Sequence, residues 1–397
     1  MSFIWKYSCY IYIALWMIYY LQQMLMIRGV ISQGLLTAIL LMSFYSFFQV
    51  NANFKTGPYL KWLNIMLLVL SVYGAVPLVG GWTMTGEYSN WSSVSYTYLQ
   101  RIYCSLLPIY SFYYYTLTRR ISSSNLLYIY IAFLLYTILL YYQRYYFYID
   151  MGMEDFTNNM GFYFVPLIPM LYIIRIGDFW KYLFLLVSFS FILLSVKRGA
   201  ILGGGVLVVL FLAQYLKDSS GKRFAYLLSL SVIAVVIIGY YVTNLYVNDE
   251  YFHRRAVATM SGNMSGREYL YNASISHFLE KTTVLEFLIG NGANSTWFLF
   301  GNYAHNDWLE FAINQGVIGV LMYIVYWVTF IWEWKCYKGG HDCRFVLGSI
   351  IVALFLQTFH SMTIDIIPTV TALCLGYCLA MSIKAQSLEN LRKKDMQ

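Results

Sequence analysis

Long apolar segments separated by short polar breaks extend along almost the whole chain. Each apolar segment holds roughly 20 residues, which is long enough for a helix to cross a hydrocarbon core about 30 Å thick. We therefore predict an all-α, polytopic membrane protein with about 12 transmembrane helices. The predicted spans cover residues 7–27, 30–50, 60–80, 98–117, 125–146, 160–176, 180–196, 199–215, 224–246, 306–332, 343–361 and 364–383.

One polar segment is much longer than the other breaks and separates the ninth predicted span from the tenth. Within it we predict a helix over Gly266–Leu288 and a turn at Asn291-Gly292. An earlier stretch, Gly81–Gln100, is rich in aromatic and hydroxyl side chains and suits either sugar contact or a membrane interface. We interpret residues 1–397 as a single polytopic membrane domain, with 247–305 as a large loop that contains short helices.

Composition excludes an ordinary soluble domain. Hydrophobic residues make up 60% of the chain and charged residues only 11%, whereas about a quarter of the residues in soluble domains are charged. The 40 tyrosines and 11 tryptophans suit the aromatic belts of membrane interfaces. The six cysteines have neither a disulfide-framework pattern nor zinc-ligand spacing with histidines, so we expect no metal site and no cofactor.

The Lys and Arg residues are unequally shared between alternate polar breaks. With the N-terminus in the cytoplasm, the cytoplasmic breaks hold about two thirds of the 26 basic residues, as the positive-inside rule requires. This arrangement predicts that both termini are cytoplasmic and that the large loop lies on the outer side. The formal net charge of +8 follows from the same bias, so no nucleic-acid partner is needed to explain it.

Two adjacent basic residues interrupt the apolar sequence in a break predicted to face outward. Lys197 and Arg198 lie in a turn of a few residues, and Gly199 begins the next span. An ordinary helix-end charge that contacts phospholipid headgroups is one interpretation. Basic residues kept at a costly membrane position are functional candidates, however, and a helix N-terminus adds backbone N–H groups for an anion.

The large loop contributes three more arginines. Arg267 lies at the start of the predicted loop helix, where its planar guanidinium suits phosphate oxygens, although pairing with Glu268 or Glu280 is an alternative. Arg254 and Arg255 are adjacent, so on a helix they diverge, and at most one of them is expected to face the same site.

His305 is the strongest candidate for a chemical role. It is followed by Asn306 and Asp307 at the start of the tenth span, and either of these residues can cap a helix that begins there. Imidazole titrates near neutrality and is a common general base. Glu310 or Asp307 could orient the imidazole. The other four histidines are interpreted as structural residues.

These residues resemble the O-antigen polymerase and ligase superfamily of bacterial envelopes. The segment from His305 to Glu310, followed by Gly316-x-x-Gly319, is similar to that superfamily's signature, and Lys197-Arg198-Gly199 resembles its arginine–glycine element. Gly266-Arg267-Glu268 with Gly290-Asn291-Gly292 resembles its long-loop pattern. The resemblance extends from about residue 195 to 319, whereas the first 190 residues match only in hydropathy. Lys197 departs from the small hydroxyl residue that is common at this position.

The resemblance implies an inverting, metal-independent glycosyltransferase of the bacterial inner membrane with its active site facing the periplasm. Arg198 and Arg267 would hold the pyrophosphate of an undecaprenyl-pyrophosphate-linked glycan donor, and His305 would deprotonate or orient the acceptor hydroxyl. The remaining candidate substrate-binding residues are Lys197, Arg254, Arg255, Asn306, Asp307 and Glu310. The implied partners are the donor, a lipid-linked or lipid A–core acceptor, membrane lipids and a chain-length regulator.

Four functions stay open at the level of sequence. A polymerase would extend lipid-linked repeat units, whereas a ligase would transfer the finished glycan to lipid A–core, and of these two we favour the polymerase. A flippase or other transporter would show charges within spans and internal repeats, and we find few such charges and no clear repeat. A purely structural partner in an export complex is the fourth alternative.

Overall fold

The structure is a computed structural model that describes residues 3–25, 29–75, 91–153, 156–262, 267–364 and 367–395. The described residues form helices and no strands, which confirms the predicted all-α class. The first nine helices are α1 (Phe3–Met24), α2 (Val30–Asn53), α3 (Pro58–Ala75), α4 (Trp91–Leu117), α5 (Leu126–Asp150), α6 (Gly161–Phe164), α7 (Leu167–Ile173), α8 (Asp178–Leu194) and α9 (Arg198–Lys217). The first half of the Gly81–Gln100 stretch, residues 81–90, lies outside the described residues.

The second half of the chain contains the large loop between two long helices. In order it forms α10 (Gly221–Asn248), α11 (Glu250–Met260), α12 (Arg267–Ser276), a π-helix (His277–Lys281), α13 (Val284–Ile289), α14 (Ser295–Phe300), α15 (Asp307–Lys335), α16 (His341–Thr358) and α17 (Thr369–Asp395).

Seven of the described helices are long and apolar enough to cross a membrane, namely α2, α3, α5, α9, α10, α15 and α16. The predicted count of about 12 spans is therefore not confirmed. The predicted span 160–176 is divided at Pro166 into the short helices α6 and α7, since proline has no backbone N–H for a helical hydrogen bond. Helix α8 has only 17 residues, which is shorter than the roughly 20 residues of a typical span.

Helix α4 packs closely along α17 in the interior of the described bundle. A Cβ atom at Gly376 would lie 2.6 Å from the carbonyl oxygen of Ile109 and 2.6 Å from the backbone nitrogen of Tyr113. The two helix backbones can approach this closely because the residue in α17 is a glycine.

Many tyrosines lie in this interior rather than in the interfacial belts that composition predicts. Tyr110 is fully buried and donates a hydrogen bond of 2.6 Å to Oδ1 of Asn64. Tyr113 is also fully buried and donates a hydrogen bond of 2.6 Å to the carbonyl oxygen of Lys55. The ring fills the core while the hydroxyl satisfies an acceptor on a neighbouring segment.

The prediction of one continuous helix over Gly266–Leu288 is wrong for the described part of that range, which excludes Gly266. The chain instead forms α12, the π-helix and α13, with a break before Thr283. Thr283 and Glu286 form a capping box in which each side chain accepts a hydrogen bond from the other residue's backbone nitrogen. This reciprocal pairing ends one helix and starts the next.

Helix α15 contains a break in its helical backbone at Gly316, where φ is 67°. The break leaves two carbonyl groups available, and the backbone nitrogens of Asn291 and Gly292 donate to Ile313 O and Asn314 O, each at 2.9 Å. A Cβ atom at Gly316 would lie 2.5 Å from the backbone nitrogen of Gly290. The loop therefore docks into the kink of α15 through paired glycines, which places the segment before His305 against the bundle.

Candidate active site

A cavity of about 310 Å³ lies where the start of α9 meets the large loop. Its described lining includes four basic side chains and no carboxylate. The lining residues are Lys197, Arg198, Gly199, Leu202, Arg255, Thr259, Gly262, Arg267, Tyr271 and His360. We call this the loop-side cavity. Four basic residues around one concave surface make it suited to an anion that carries more than one negative charge.

The turn before α9 places Lys197 and Arg198 at this cavity. Val196 adopts a left-handed backbone conformation with φ of 50°, which is unusual for a β-branched residue. The backbone nitrogen of Asn158 donates 2.9 Å to Ser195 O and holds the turn in place. A Cβ atom at Gly161 would lie 2.2 Å from Ser195 Oγ, so only glycine fits beside the turn.

Arg267 reaches the cavity from the first turn of α12, and the segment after α16 fixes its position. Its Nη1 donates a hydrogen bond of 2.7 Å to the carbonyl oxygen of His360. One turn later, the hydroxyl of Tyr271 donates 2.9 Å to the carbonyl oxygen of Phe359. These two contacts attach the loop helix to the membrane bundle, so Arg267 is held by structure that lies outside the loop.

The two adjacent arginines of α11 point in different directions. Arg255 lines the loop-side cavity, whereas Nε of Arg254 lies 3.9 Å from Oε1 of Glu250, one turn earlier on the same helix. The structure thus brings Arg255, but not Arg254, to the lining that holds Arg198 and Arg267.

His305 lies immediately before α15 in a left-handed conformation with φ of 54°. Asn306 caps the helix, and its Oδ1 accepts hydrogen bonds from the backbone nitrogens of Trp308 at 3.0 Å and Leu309 at 3.3 Å. The residue before His305 is also held, since the backbone nitrogen of Ala304 donates 2.6 Å to Oε1 of Glu310. Backbone strain maintained from both sides is typical of functional positions.

The two carboxylates that follow His305 hold neighbouring segments in place. Oδ1 of Asp307 accepts a hydrogen bond of 2.8 Å from the backbone nitrogen of Thr363, and Oδ2 accepts one of 2.7 Å from the Tyr323 hydroxyl. Glu310 accepts hydrogen bonds from Thr296 and, at 3.1 Å, from Asn314. Both carboxylates fix the frame around His305, and direct orientation of its imidazole by either one stays a prediction.

Positive charge and burial shift the ionisation of the groups at this site. Burial, Arg267 and Lys197 together lower the pKa of His305 to about 4, so the imidazole is neutral at pH 7. Burial, Arg267 and Arg255 lower the pKa of Lys197 to about 8. His360 also has a lowered pKa because of burial and Arg267. A bound anion would oppose the shift caused by the arginines in each case.

A second, apolar cavity of about 310 Å³ adjoins the first between α9 and α11. The two cavities share Arg198, Leu202, Arg255 and Thr259. The remaining lining of the apolar cavity is Val196, Ile201, Phe252, Ala256 and Met260. A ligand with an anionic head and a hydrocarbon tail could therefore occupy both cavities at once.

Two features of the site were not predicted from the sequence. His360 was interpreted as a structural residue, yet it lines the loop-side cavity and its carbonyl oxygen anchors Arg267. An aromatic group also lies in the segment that leads to His305, with the rings of Trp297 and Tyr303 5.2 Å apart and the guanidinium of Arg101 4.7 Å from the Tyr303 ring. Arg101 and His360 are far from the large loop in sequence, and none of these four residues belongs to a recognisable motif.

Residues 183–324 match the family model described as O-antigen ligase. The match confirms the resemblance to the O-antigen polymerase and ligase superfamily. It begins within α8, ends within α15 and contains every predicted site residue, including Arg198, Arg267 and His305. No protein of established function matches the chain.

The match suggests a glycosyltransferase-like enzyme, and lipid-linked glycan and lipid A–core are the substrates that the matched family implies. The seven long apolar helices and the family together indicate a membrane protein. His360 lies outside the matched segment, whereas the other lining residues of the loop-side cavity lie within it. The turn after α16 therefore completes a cavity that the matched segment otherwise forms.

Proposed function

We propose that this protein is an inverting membrane glycosyltransferase that polymerises undecaprenyl-pyrophosphate-linked repeat units into a surface polysaccharide. The observation that carries the proposal is the loop-side cavity, whose described lining brings Lys197, Arg198, Arg255 and Arg267 together around one concave surface. A cavity lined by several basic side chains attracts a ligand that carries more than one negative charge. A pyrophosphate supplies that charge.

The donor would bind with its pyrophosphate in the loop-side cavity and the start of its polyprenyl chain in the adjoining apolar cavity. Arg198 and Arg255 line both cavities, so they mark the boundary between head and tail. The basic side chains would stabilise the negative charge that develops as the pyrophosphate leaves, a role that a divalent metal fills in other enzymes. We therefore propose a reaction that needs no metal.

His305 would act on the acceptor hydroxyl. Its neutral imidazole, supported by the lowered pKa, can accept the hydroxyl hydrogen as the oxygen attacks the anomeric carbon. The new C–O bond forms on the face opposite the pyrophosphate, the old C–O bond breaks, and the pyrophosphate leaves with the electron pair. The proton passes from His305 to solvent. Departure of the negatively charged product would then restore the low pKa of the histidine.

The acceptor glycan would approach over the aromatic group formed by Trp297, Tyr303 and Arg101. Trp297 is 44% exposed, so one of its faces remains available for contact with a sugar ring. Tyr303 lies two residues before His305 in the chain, which keeps this platform close to the proposed base. The arrangement gives the acceptor a surface distinct from the cationic cavity proposed for the donor.

Ligation is the second candidate function. The matched family is described as O-antigen ligase, and a ligase would use the same donor site but transfer the finished glycan to lipid A–core. Both reactions require the cavity and His305 to face the periplasm, with both termini in the cytoplasm. We propose this orientation for a protein of the bacterial inner membrane, and a reporter inserted at Ser295 should then give a periplasmic signal.

A gel of surface glycans from a strain that lacks the protein separates the two reactions. Core that carries a single repeat unit, with longer chains missing, supports the polymerase. Bare core together with full-length polymer on undecaprenyl pyrophosphate supports the ligase. An unchanged glycan pattern contradicts both.

A further inference from the structure

A third cavity, which is larger than the other two at about 700 Å³, lies at the opposite end of α9 from Arg198. Tyr215 lines it and lies 17 positions after Arg198 on the same helix, which corresponds to about 26 Å. Helix α16 connects the same two regions, because His341 at its start lines the larger cavity and His360 just beyond its end lines the loop-side cavity. We call this the distal cavity.

The lining of the distal cavity is rich in hydrogen-bond donors and positive charge. It contains five basic side chains, two carboxylates and the hydroxyl-bearing residues Ser122 and Ser123. The charged residues are Arg119, Arg175, Lys181, Arg223, Lys384, Asp178 and Asp342. All five basic residues belong to the breaks predicted to be cytoplasmic, so the distal cavity lies on the side predicted to face away from the large loop.

The two carboxylates balance only part of the charge of the five basic residues. Arg223 donates two hydrogen bonds of 3.2 Å to Asp178, and the Tyr215 hydroxyl donates to the same carboxylate. Asp342 is exposed and lies 3.9 Å from His341. Within the described chain, Arg119, Arg175, Lys181 and Lys384 form no ion pair within 4 Å.

Lys181 is the most informative of these four residues. It is only 7% exposed, and its Nζ lies 5.2 Å from the ring centroid of Tyr215 and 6.0 Å from that of Tyr172. A lysine at a membrane interface normally extends its ammonium group into water. Asp178 and Asp342 interact electrostatically with the ammonium group of Lys181, which lines the cavity, and an anion that enters the cavity would stabilise its charge further.

We propose that the distal cavity binds a phosphate group, carried either by a lipid headgroup or by a small soluble molecule. Lys181, Arg175 and Arg119 supply the positive charge, while Ser122 and Ser123 can donate hydrogen bonds to phosphate oxygens. A volume of about 700 Å³ exceeds the needs of a single phosphate and suits a ligand with further polar groups.

The surroundings favour a lipid as the source. Phe179 and Trp180 lie between the lining residues Asp178 and Lys181 in the sequence and are 54% and 53% exposed. Exposed aromatic side chains mark the headgroup level of a membrane. The phosphate of an anionic lipid in the same leaflet would therefore lie at the depth of the cavity.

The test measures the melting temperature of the purified full-length protein in a neutral detergent. Short-chain phosphatidylglycerol, short-chain phosphatidylcholine and inorganic phosphate are titrated separately at constant ionic strength. We expect phosphatidylglycerol to stabilise the protein, with an apparent Kd that rises about tenfold in Arg175→Gln and in Lys181→Met, since each variant removes a charge-assisted contact.

Lys217→Gln is the matched control because Lys217 is an exposed basic residue at the same end of α9 that does not line the cavity. Arg267→Ala separates this site from the loop-side cavity and should leave the distal response unchanged. If Lys181→Met does not fold, Arg175→Gln combined with Arg119→Gln decides the outcome, since both side chains are exposed.

Stabilisation by phosphatidylglycerol but not by inorganic phosphate identifies a lipid headgroup as the source. An equal, variant-sensitive response to inorganic phosphate identifies a soluble ligand. The proposal is overturned if phosphatidylcholine stabilises as well as the anions, or if Arg175→Gln and Lys181→Met respond like Lys217→Gln.

Discussion

The two cavities at the ends of α9 both gather basic side chains, but they differ in how the charge is balanced. The loop-side cavity has four basic residues and no carboxylate in its described lining. The distal cavity mixes five basic residues with two carboxylates, one of which is held by Arg223 and Tyr215. A lining whose charged side chains are all basic suits a ligand that carries several negative charges, whereas a lining of mixed charge suits a singly charged headgroup.

The difference extends to the supporting structure. At the loop side, Val196 and His305 have a left-handed backbone. Val196 precedes the basic pair Lys197 and Arg198, and His305 is the proposed base. Contacts from Asn158 and Glu310 hold the chain near these residues. The cationic residues of the distal cavity lie mostly at helix ends or in short connections. Arg119 of the distal cavity is also left-handed, with φ of 59°, so the distinguishing feature of the loop side is that neighbouring hydrogen bonds hold the strained His305 beside the cap of α15.

The largest expected effect comes from removing single residues at the loop side. Arg267→Ala and His305→Ala should each reduce glycan transfer by about 10²–10³-fold, because the proposed leaving-group stabilisation or proton acceptor is lost. Surface-glycan gels of complemented strains, normalised to membrane protein level, measure the effect. Lys217→Gln should transfer at the wild-type rate, and a full-length glycan ladder from His305→Ala would show that the histidine is not catalytic.

Disrupting the close contact between Gly290 and Gly316 should destabilise the structure that supports the loop-side cavity. Gly316→Ala places a Cβ atom 2.5 Å from the backbone of Gly290 at a position with φ of 67°. We expect a loss of about 3 kcal/mol or more in stability from steric overlap and backbone strain. Thermal unfolding in detergent measures the change. Gly239→Ala, which has no neighbour within 4 Å, is the control, and equal melting temperatures for the two variants would contradict the docking.

The pH dependence of donor binding should report the charge of Lys197 in the loop-side cavity. The lowered pKa of Lys197, about 8, means that its ammonium group loses its proton above pH 8. Because the anion binds the charged form, donor affinity should fall by about tenfold between pH 7 and pH 9. Titration with a polyprenyl pyrophosphate measures this change. Lys197→Arg should remove this fall in affinity. If the fall persists in the variant, a group other than Lys197 causes it.

The smallest expected effect concerns the cap of α15. Asn306→Ala removes two hydrogen bonds to backbone nitrogens and should cost about 1 kcal/mol. We expect a lower melting temperature and a modest fall in transfer rate, because His305 is held by this turn. Asn306→Asp keeps the accepting oxygen and should restore both properties. A normal melting temperature in Asn306→Ala would show that the cap is not needed.

The helical class and the gathering of Arg198 and Arg267 could be anticipated from hydropathy, charge placement and family motifs, whereas the sequence did not show which of Arg254 and Arg255 joins them. The break before Thr283 also had a sequence signal, since Thr283 and Glu286 have capping-box spacing. His360 could not be found, because its place in the cavity depends on how α16 packs beside α9. The same is true of Lys181 and Arg175, which contribute to one cavity only after distant helices meet.

The most direct test of the central claim follows transfer of a labelled glycan from a polyprenyl-pyrophosphate donor by purified protein in proteoliposomes that contain EDTA. Wild-type protein should elongate the labelled acceptor and release polyprenyl pyrophosphate, while Arg267→Ala should lose both activities and Lys217→Gln neither. Unchanged transfer by Arg267→Ala, or wild-type transfer that requires a divalent metal, would contradict the proposal that these basic residues stabilise the leaving pyrophosphate.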